Sequence, residues 1–179
     1  MGFMKEGALN GVGSVSYVVQ EENTGEEEAK ENTRIGEFKD GLLHGFGKTT
    51  NGDYMYIGGY KEGLEDGVGY FVKPQAREQY VGTFKEGKMN GLGYLLIRNS
   101  KYQGGFKDNQ HHGYGIFTYG DGRKVVAKFD NGQVEKNEKV TERMVNLSFG
   151  EEELKNIKLE FEKKLAKIEL ILGEEGGKI

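Results

Sequence analysis

YVGTFKEGKMNGLG, from Tyr80 to Gly93, is the stretch on which the fold turns. Tyr80, Gly82 and Phe84 alternate with Val81 and Thr83, which is the two-residue period of a β-strand. A polar loop, KEGKMNG, follows with two glycines four residues apart. Gly91-Leu92-Gly93-Tyr94-Leu95-Leu96-Ile97 then reads as a return strand. The loop glycines supply positive φ at little steric cost. Glycine inside a strand weakens it and marks a bulge or a close approach. Gly82 lies between Tyr80 and Phe84 on one face, so the expectation is that it makes room for an aromatic of a neighbouring hairpin.

The same string recurs without gaps on both sides: RIGEFKDGLLHGFG from Arg34, YIGGYKEGLEDGVG from Tyr56 and YQGGFKDNQHHGYG from Tyr102. The first glycines, Gly36, Gly58, Gly82 and Gly104, are spaced by 22, 24 and 22 residues. Gly45 and Gly47, Gly67 and Gly69, Gly91 and Gly93, and Gly113 and Gly115 close the units. The leading and fifth positions hold Tyr56 and Tyr60, Tyr80 and Phe84, and Tyr102 and Phe106. A further unit opens the chain as GFMKEGALNGVG from Gly2, and a half-unit, VVAKFDNG, begins at Val125. Asn10, His44, Asp66, Asn90 and His112 precede the second loop glycine. These residue types favour left-handed backbone among non-glycines, so that conformation is expected there. Asn51-Gly52 and Asp121-Gly122 signal turns between units.

A Tyr-x-Gly-x-aromatic-x-x-Gly-x-x-x-Gly-x-Gly pattern resembles the MORN (membrane occupation and recognition nexus) repeat, over roughly residues 2–132. The resemblance implies a mainly β chain, a single-layer elongated antiparallel sheet of stacked hairpins. Departures are Arg34 at the leading tyrosine, Asn109 at a loop glycine, Ala127 at the first glycine of the half-unit, and the missing tyrosine of the first unit. The expected array covers 1–134, with units near 2–17, 34–53, 56–73, 80–98 and 102–122 and a half-unit at 125–134. An acidic insert, 18–33, reads by composition as a solvated loop, and deleting Glu22 to Asn32 is expected to leave the fold intact.

After a linker at 135–147, helical periodicity replaces the glycine pattern. Leu154, Ile157, Phe161, Leu165, Ile168 and Leu172 recur at steps of three and four. Ser148 and Glu151 suit a capping box, and Gly173 is expected to stop a helix over 148–172, before a tail at 173–179. Such an apolar stripe either folds back to cap the sheet or pairs with a partner helix or a second copy.

The chain has 179 residues, with thirty glycines, one proline, no cysteine and a net charge of −4. Absence of cysteine removes disulfides, thiolate metal sites and a cysteine nucleophile. The N-terminus has no signal-like apolar region. Residues 18–34 carry −4, residues 135–179 carry −2 and the rest +2, so nucleic acid is not an expected partner. His111 and His112 lack metal-ligand spacing, and no P-loop or nucleophile elbow is present. Neither catalysis, a cofactor nor a metal is expected.

The reading is a non-enzymatic protein-interaction scaffold. An exposed aromatic strip on one sheet face is expected to bind a peptide or helix through Tyr70, Leu92, Tyr94, Tyr114 and Phe117, unless the C-terminal helix covers it. The resemblance implies cytoskeletal, motor-protein or ciliary and flagellar axoneme partners and a cytoplasmic, cytoskeletal or ciliary location. Open alternatives are a peripheral membrane lipid module, for which Lys85, Lys88, Arg123 and Lys124 are thin support, a regulatory array cut from a larger enzyme, and self-association through the helix.

Overall fold

A computed structural model describes residues 3–5, 7–20, 29–135, 141 and 150–175. Twelve strands form one antiparallel sheet in chain order: β1 (Phe3–Lys5), β2 (Ala8–Gln20), β3 (Ala29–Lys39), β4 (Leu42–Thr50), β5 (Met55–Lys61), β6 (Leu64–Lys73), β7 (Glu78–Lys85), β8 (Lys88–Ile97), β9 (Ser100–Lys107), β10 (Gln110–Thr118), β11 (Lys124–Asp130) and β12 (Gln133–Val134). One helix, α1 (Glu151–Glu175), follows. The chain is mainly β, an open sheet of stacked hairpins.

Each repeat turns tightly. Glu62 and Gly63 have φ of 52° and 82°, and Glu86 and Gly87 have 50° and 78°. Positive φ at both central residues defines the type I′ turn that matches strand twist. Asp108 and Asn109, at 48° and 68°, show that asparagine fills the glycine position of the fifth unit. The left-handed residues therefore precede the first loop glycine. Asn10, His44, Asp66, Asn90 and His112, expected to adopt that conformation, lie in strands without positive φ. Instead the glycine after them turns left-handed, as Gly91 does at 97°, where the register slips between Gly82 and Phe84. The slip places a bulge in every complete hairpin of the third to fifth units.

Hairpins are joined at their tips. The N–H of Gly41, Gly63, Gly87, Asn109 and Gly132 donates to the carbonyl of Leu9, Leu43, Glu65, Met89 and His111, at 2.8–3.1 Å. The donor is always a turn residue and the acceptor always holds the same place in the preceding unit. This bond repeats with the sequence period.

Strand glycines face one another across the sheet: Gly36 with Gly47, Gly58 with Gly69, Gly82 with Gly93 and Gly104 with Gly115. A methyl group at Gly69, Gly93 or Gly115 would overlap the ring of Tyr56, Tyr80 or Tyr102. These glycines thus make room for the leading tyrosine of their own hairpin, not for an aromatic of a neighbour. Each ring lies flat over its glycine pair and its hydroxyl donates to a carbonyl three residues on: Tyr56 to Gly59 (3.0 Å), Tyr80 to Thr83 (3.1 Å) and Tyr102 to Gly105 (3.1 Å).

Between the flat rings stand upright ones. Tyr60, Tyr56, Phe84, Tyr80, Phe106, Tyr102 and Phe129 form a continuous edge-to-face series, with centroids 4.9–5.4 Å apart and planes at 82–88°. This geometry suits the ring quadrupole and is worth about 0.5–1.5 kcal/mol per pair beyond burial. Tyr56, Tyr80 and Tyr102 are fully buried by it. The series is the core of what we call the ring face.

Two expected boundaries move. The insert at 18–33 is not all loop: β2 runs to Gln20, β3 begins at Ala29, and those two residues pair. Helix α1 begins at Glu151 and passes through Gly173 to Glu175. Gly173 has no positive φ, so it makes no left-handed cap and costs only about 1 kcal/mol as an interior residue. The expected cap at Ser148 and most of the linker lie outside the described residues.

Candidate functional site

Strand alternation gives the sheet two faces, and α1 takes one of them. Phe161 is buried against Ile57 and Tyr70, with Ile35, Phe46, Met55, Val72 and Ile157 packed around them. The Phe46 and Phe161 rings meet edge-on at 5.3 Å. Lys158 Nζ sits 5.5 Å from the Tyr70 ring centroid and Lys164 Nζ 5.4 Å from that of Phe46. Ile168 is buried as well, while Leu159 and Leu170 point to solvent. The chain's own helix therefore docks on this helix face, alongside β2, β3, β6 and β7.

That placement changes the expected binding strip. Tyr70 is 3% exposed beneath α1 and Tyr94 is 2% exposed, so neither offers a free surface. Leu92 and Tyr114 are half-buried on the same face. Phe117 lies on the opposite face, packed against the ring series. The five residues do not form one patch.

No described element packs on the ring face. Its buried series is bordered, toward the far ends of the hairpins, by half-buried Tyr54, Phe71 and Phe117 and by Ile97 and Tyr119, each 40% exposed. Tyr54 and Phe71 tilt together at 5.6 Å, and Phe117 and Tyr119 at 4.8 Å. Tyr17 carries the strip toward β2, with the Arg34 guanidinium 5.7 Å from its ring. An open cavity of about 450 Å³ lies on this face, walled by Tyr54, Tyr56, Phe71, Phe84 and Met89, with Glu65, Lys73, Glu78 and Asn109 also lining it. A second depression, of about 570 Å³, lies beside Ile97, Arg98 and Phe117.

Sequence reasoning singled out Phe117 but not Phe71, Tyr54, Ile97 or Tyr119. The signal was present. Phe71 stands two residues after Gly69, as Phe117 does after Gly115, so alternation alone puts both on the glycine face.

Electrostatically the ring face is tuned by burial. Desolvation holds the phenols of Tyr56, Tyr60, Tyr80 and Tyr102 above their ordinary range. Tyr60 also donates to Thr49 Oγ1 at 2.7 Å. Burial, and then the Glu65 carboxylate, push Tyr54 up. His111 stacks on Tyr102 at 3.9 Å and 20°, near Phe106, Phe117 and Phe129, and burial lowers its pKa. It serves as a packing ring. Among the described residues no three His, Cys, Asp or Glu side chains gather as metal ligands, and no helix is long and apolar enough to cross a membrane.

Comparison with known protein families gives one match: the MORN repeat, at residues 35–54, 56–75, 80–99 and 102–122. No curated protein matches the chain. The MORN repeat is a non-catalytic module that generally mediates protein or membrane interactions. Its four matches coincide with the four units that carry the glycine pairs, and the chain is a MORN-repeat protein.

Proposed function

We propose that this protein is a non-enzymatic interaction scaffold whose ring face holds a partner polypeptide, with α1 closing the opposite face. The observation that carries the reading is the asymmetry of the sheet. One face is occupied by the chain's own helix, and the other keeps a strip of half-exposed aromatics beside an open cavity. Aromatic anchors in such depressions supply most of the affinity of protein interfaces. The repeat's general role agrees with this. A cytoskeletal or axonemal partner and a cytoplasmic or ciliary location are proposed on the family resemblance alone.

The test uses the exposed members of the strip, whose substitution spares the core. The doubly altered chain, Ile97→Asp with Tyr119→Asp, is expected to lose capture of a partner that the wild-type chain retains from a ciliated-cell extract. Repetition with the purified partner then measures the loss directly. Undiminished binding by the altered chain, or binding only to anionic vesicles in a flotation assay, contradicts the reading.

A further inference from the structure

One position distinguishes the third unit from the others. Leu9, Leu43, Met89 and His111 occupy equivalent places just after the turn, and each packs on the ring face. Leu9 and Leu43 lie over glycines of units that lack the leading tyrosine, and His111 stacks on Tyr102. The third unit puts Glu65 at this place. Its carboxylate does not fill the space that an apolar side chain fills elsewhere, and the cavity of about 450 Å³ opens beside it. The size lies within the range of about 300–1,000 Å³ typical of ligand sites.

Charge and shape at this cavity agree. Glu65 is half-buried, and among the described residues no cation makes an ion pair with it. Phe71 and Tyr54 present ring surface to the same space. A cation over an aromatic face is attracted by its quadrupole, more strongly as water is excluded. Lys73, which lines the same cavity, already sets its Nζ 5.6 Å from the Phe71 centroid, and the two carboxylates Glu65 and Glu78 outnumber that one cation, so the lining stays negative. A carboxylate beside aromatic walls selects a positive group carried on an apolar stem.

We propose that the cavity bounded by Glu65, Tyr54 and Phe71 receives one lysine or arginine side chain of the polypeptide that docks on the ring face. The proposal rests on the ring-face reading and adds the chemistry of its anchor. Glu65 supplies the charge, the rings hold the methylene stem and cationic head, and Met89 closes the apolar side.

The test is a titration of the ¹⁵N-labelled full chain with two peptides, acetyl-Leu-Arg-Leu-amide and acetyl-Leu-Gln-Leu-amide. The arginine peptide is expected to shift the amides of Tyr54, Phe71 and Met89 and to bind about fivefold more tightly than the glutamine peptide, the upper scale of one solvent-accessible ion pair. Glu65→Gln, which keeps the side-chain shape, should erase that preference. Glu65→Leu places the residue found in the first two units, so the fold should survive while the preference disappears. Equal affinity for the two peptides, or a preference that persists in Glu65→Gln, overturns the proposal but leaves the ring face as the docking surface. Shifts confined to the helix face, or none with either peptide, overturn both.

Discussion

Tyrosine and glycine in this chain are one structural unit split over two strands. The half-unit, which lacks the tyrosine, also lacks the glycine. The half-unit has Val125 at the leading position, and Ala127 stands opposite Gly115, buried without an overlying ring of its own unit. The second unit has Arg34 there, and Leu43 covers Gly36 and Gly47 instead. A methyl group at Gly93 must displace the Tyr80 ring, so Gly93→Ala is expected to destabilise the chain by about 1–3 kcal/mol. The same change in a Tyr80→Ala background should cost much less, because the ring it meets is gone. Chemical denaturation of the four chains measures this coupling, and additive losses would refute it. His111 gives a second residue-scale expectation. Its folded pKa lies below the ordinary value of 6.5, so the unfolded chain binds more protons as pH falls through that value. The stability it contributes is complete above about pH 6.5 and declines below it. Melting curves between pH 7.5 and 5 should show a smaller acid loss for His111→Leu than for the wild-type chain.

At the scale of elements, the sequence was legible where a period was strict. The hairpins, their order and the helix all follow from periodicity. The partners of the glycines did not, because alternation says which face a residue occupies but not whose ring reaches over it. The left-handed positions were also misplaced: Asn and His before the second glycine looked suited to them, yet two-residue type I′ turns put the strain on acidic residues one position before the first glycine. The acidic insert reads as a loop by charge, while its ends, Val18 to Gln20 and Ala29 to Thr33, pair as strand, with Ser16 and Thr33 hydroxyls 3.1 Å apart. A deletion should therefore be shorter than Glu22 to Asn32. Removing residues 22–27 is expected to leave the melting temperature within about 2 °C of the wild type, since loop-closure entropy varies slowly with length. Extending the deletion through Asn32 removes paired residues of β3 and should lower it. For α1, Phe161 is the main anchor. Phe161→Ala is expected to cost about 3 kcal/mol if the helix and sheet unfold together, and a helical circular dichroism signal melting independently of the sheet would contradict that coupling.

At the scale of the whole molecule, the ribbon is a single sheet whose two faces have different tasks. The ring series ties hairpin to hairpin on one side, and α1 seals part of the other. Which face remains available could not be read from the sequence, because the return strands carry large side chains on both: Tyr70 and Tyr94 on one, Phe71 and Phe117 on the other. Only the docked position of α1 decides between them. Side-chain hydroxyl-radical footprinting of the free full-length chain measures that decision without any partner. Tyr119 and Ile97 are expected to oxidise readily and Phe71 and Phe117 more slowly, with Tyr70 and Phe161 protected until α1 is released by Phe161→Asp, when Tyr70 should become reactive. Oxidation of Tyr70 as rapid as that of Tyr119 in the unaltered chain would contradict the assignment of the ring face as the binding surface.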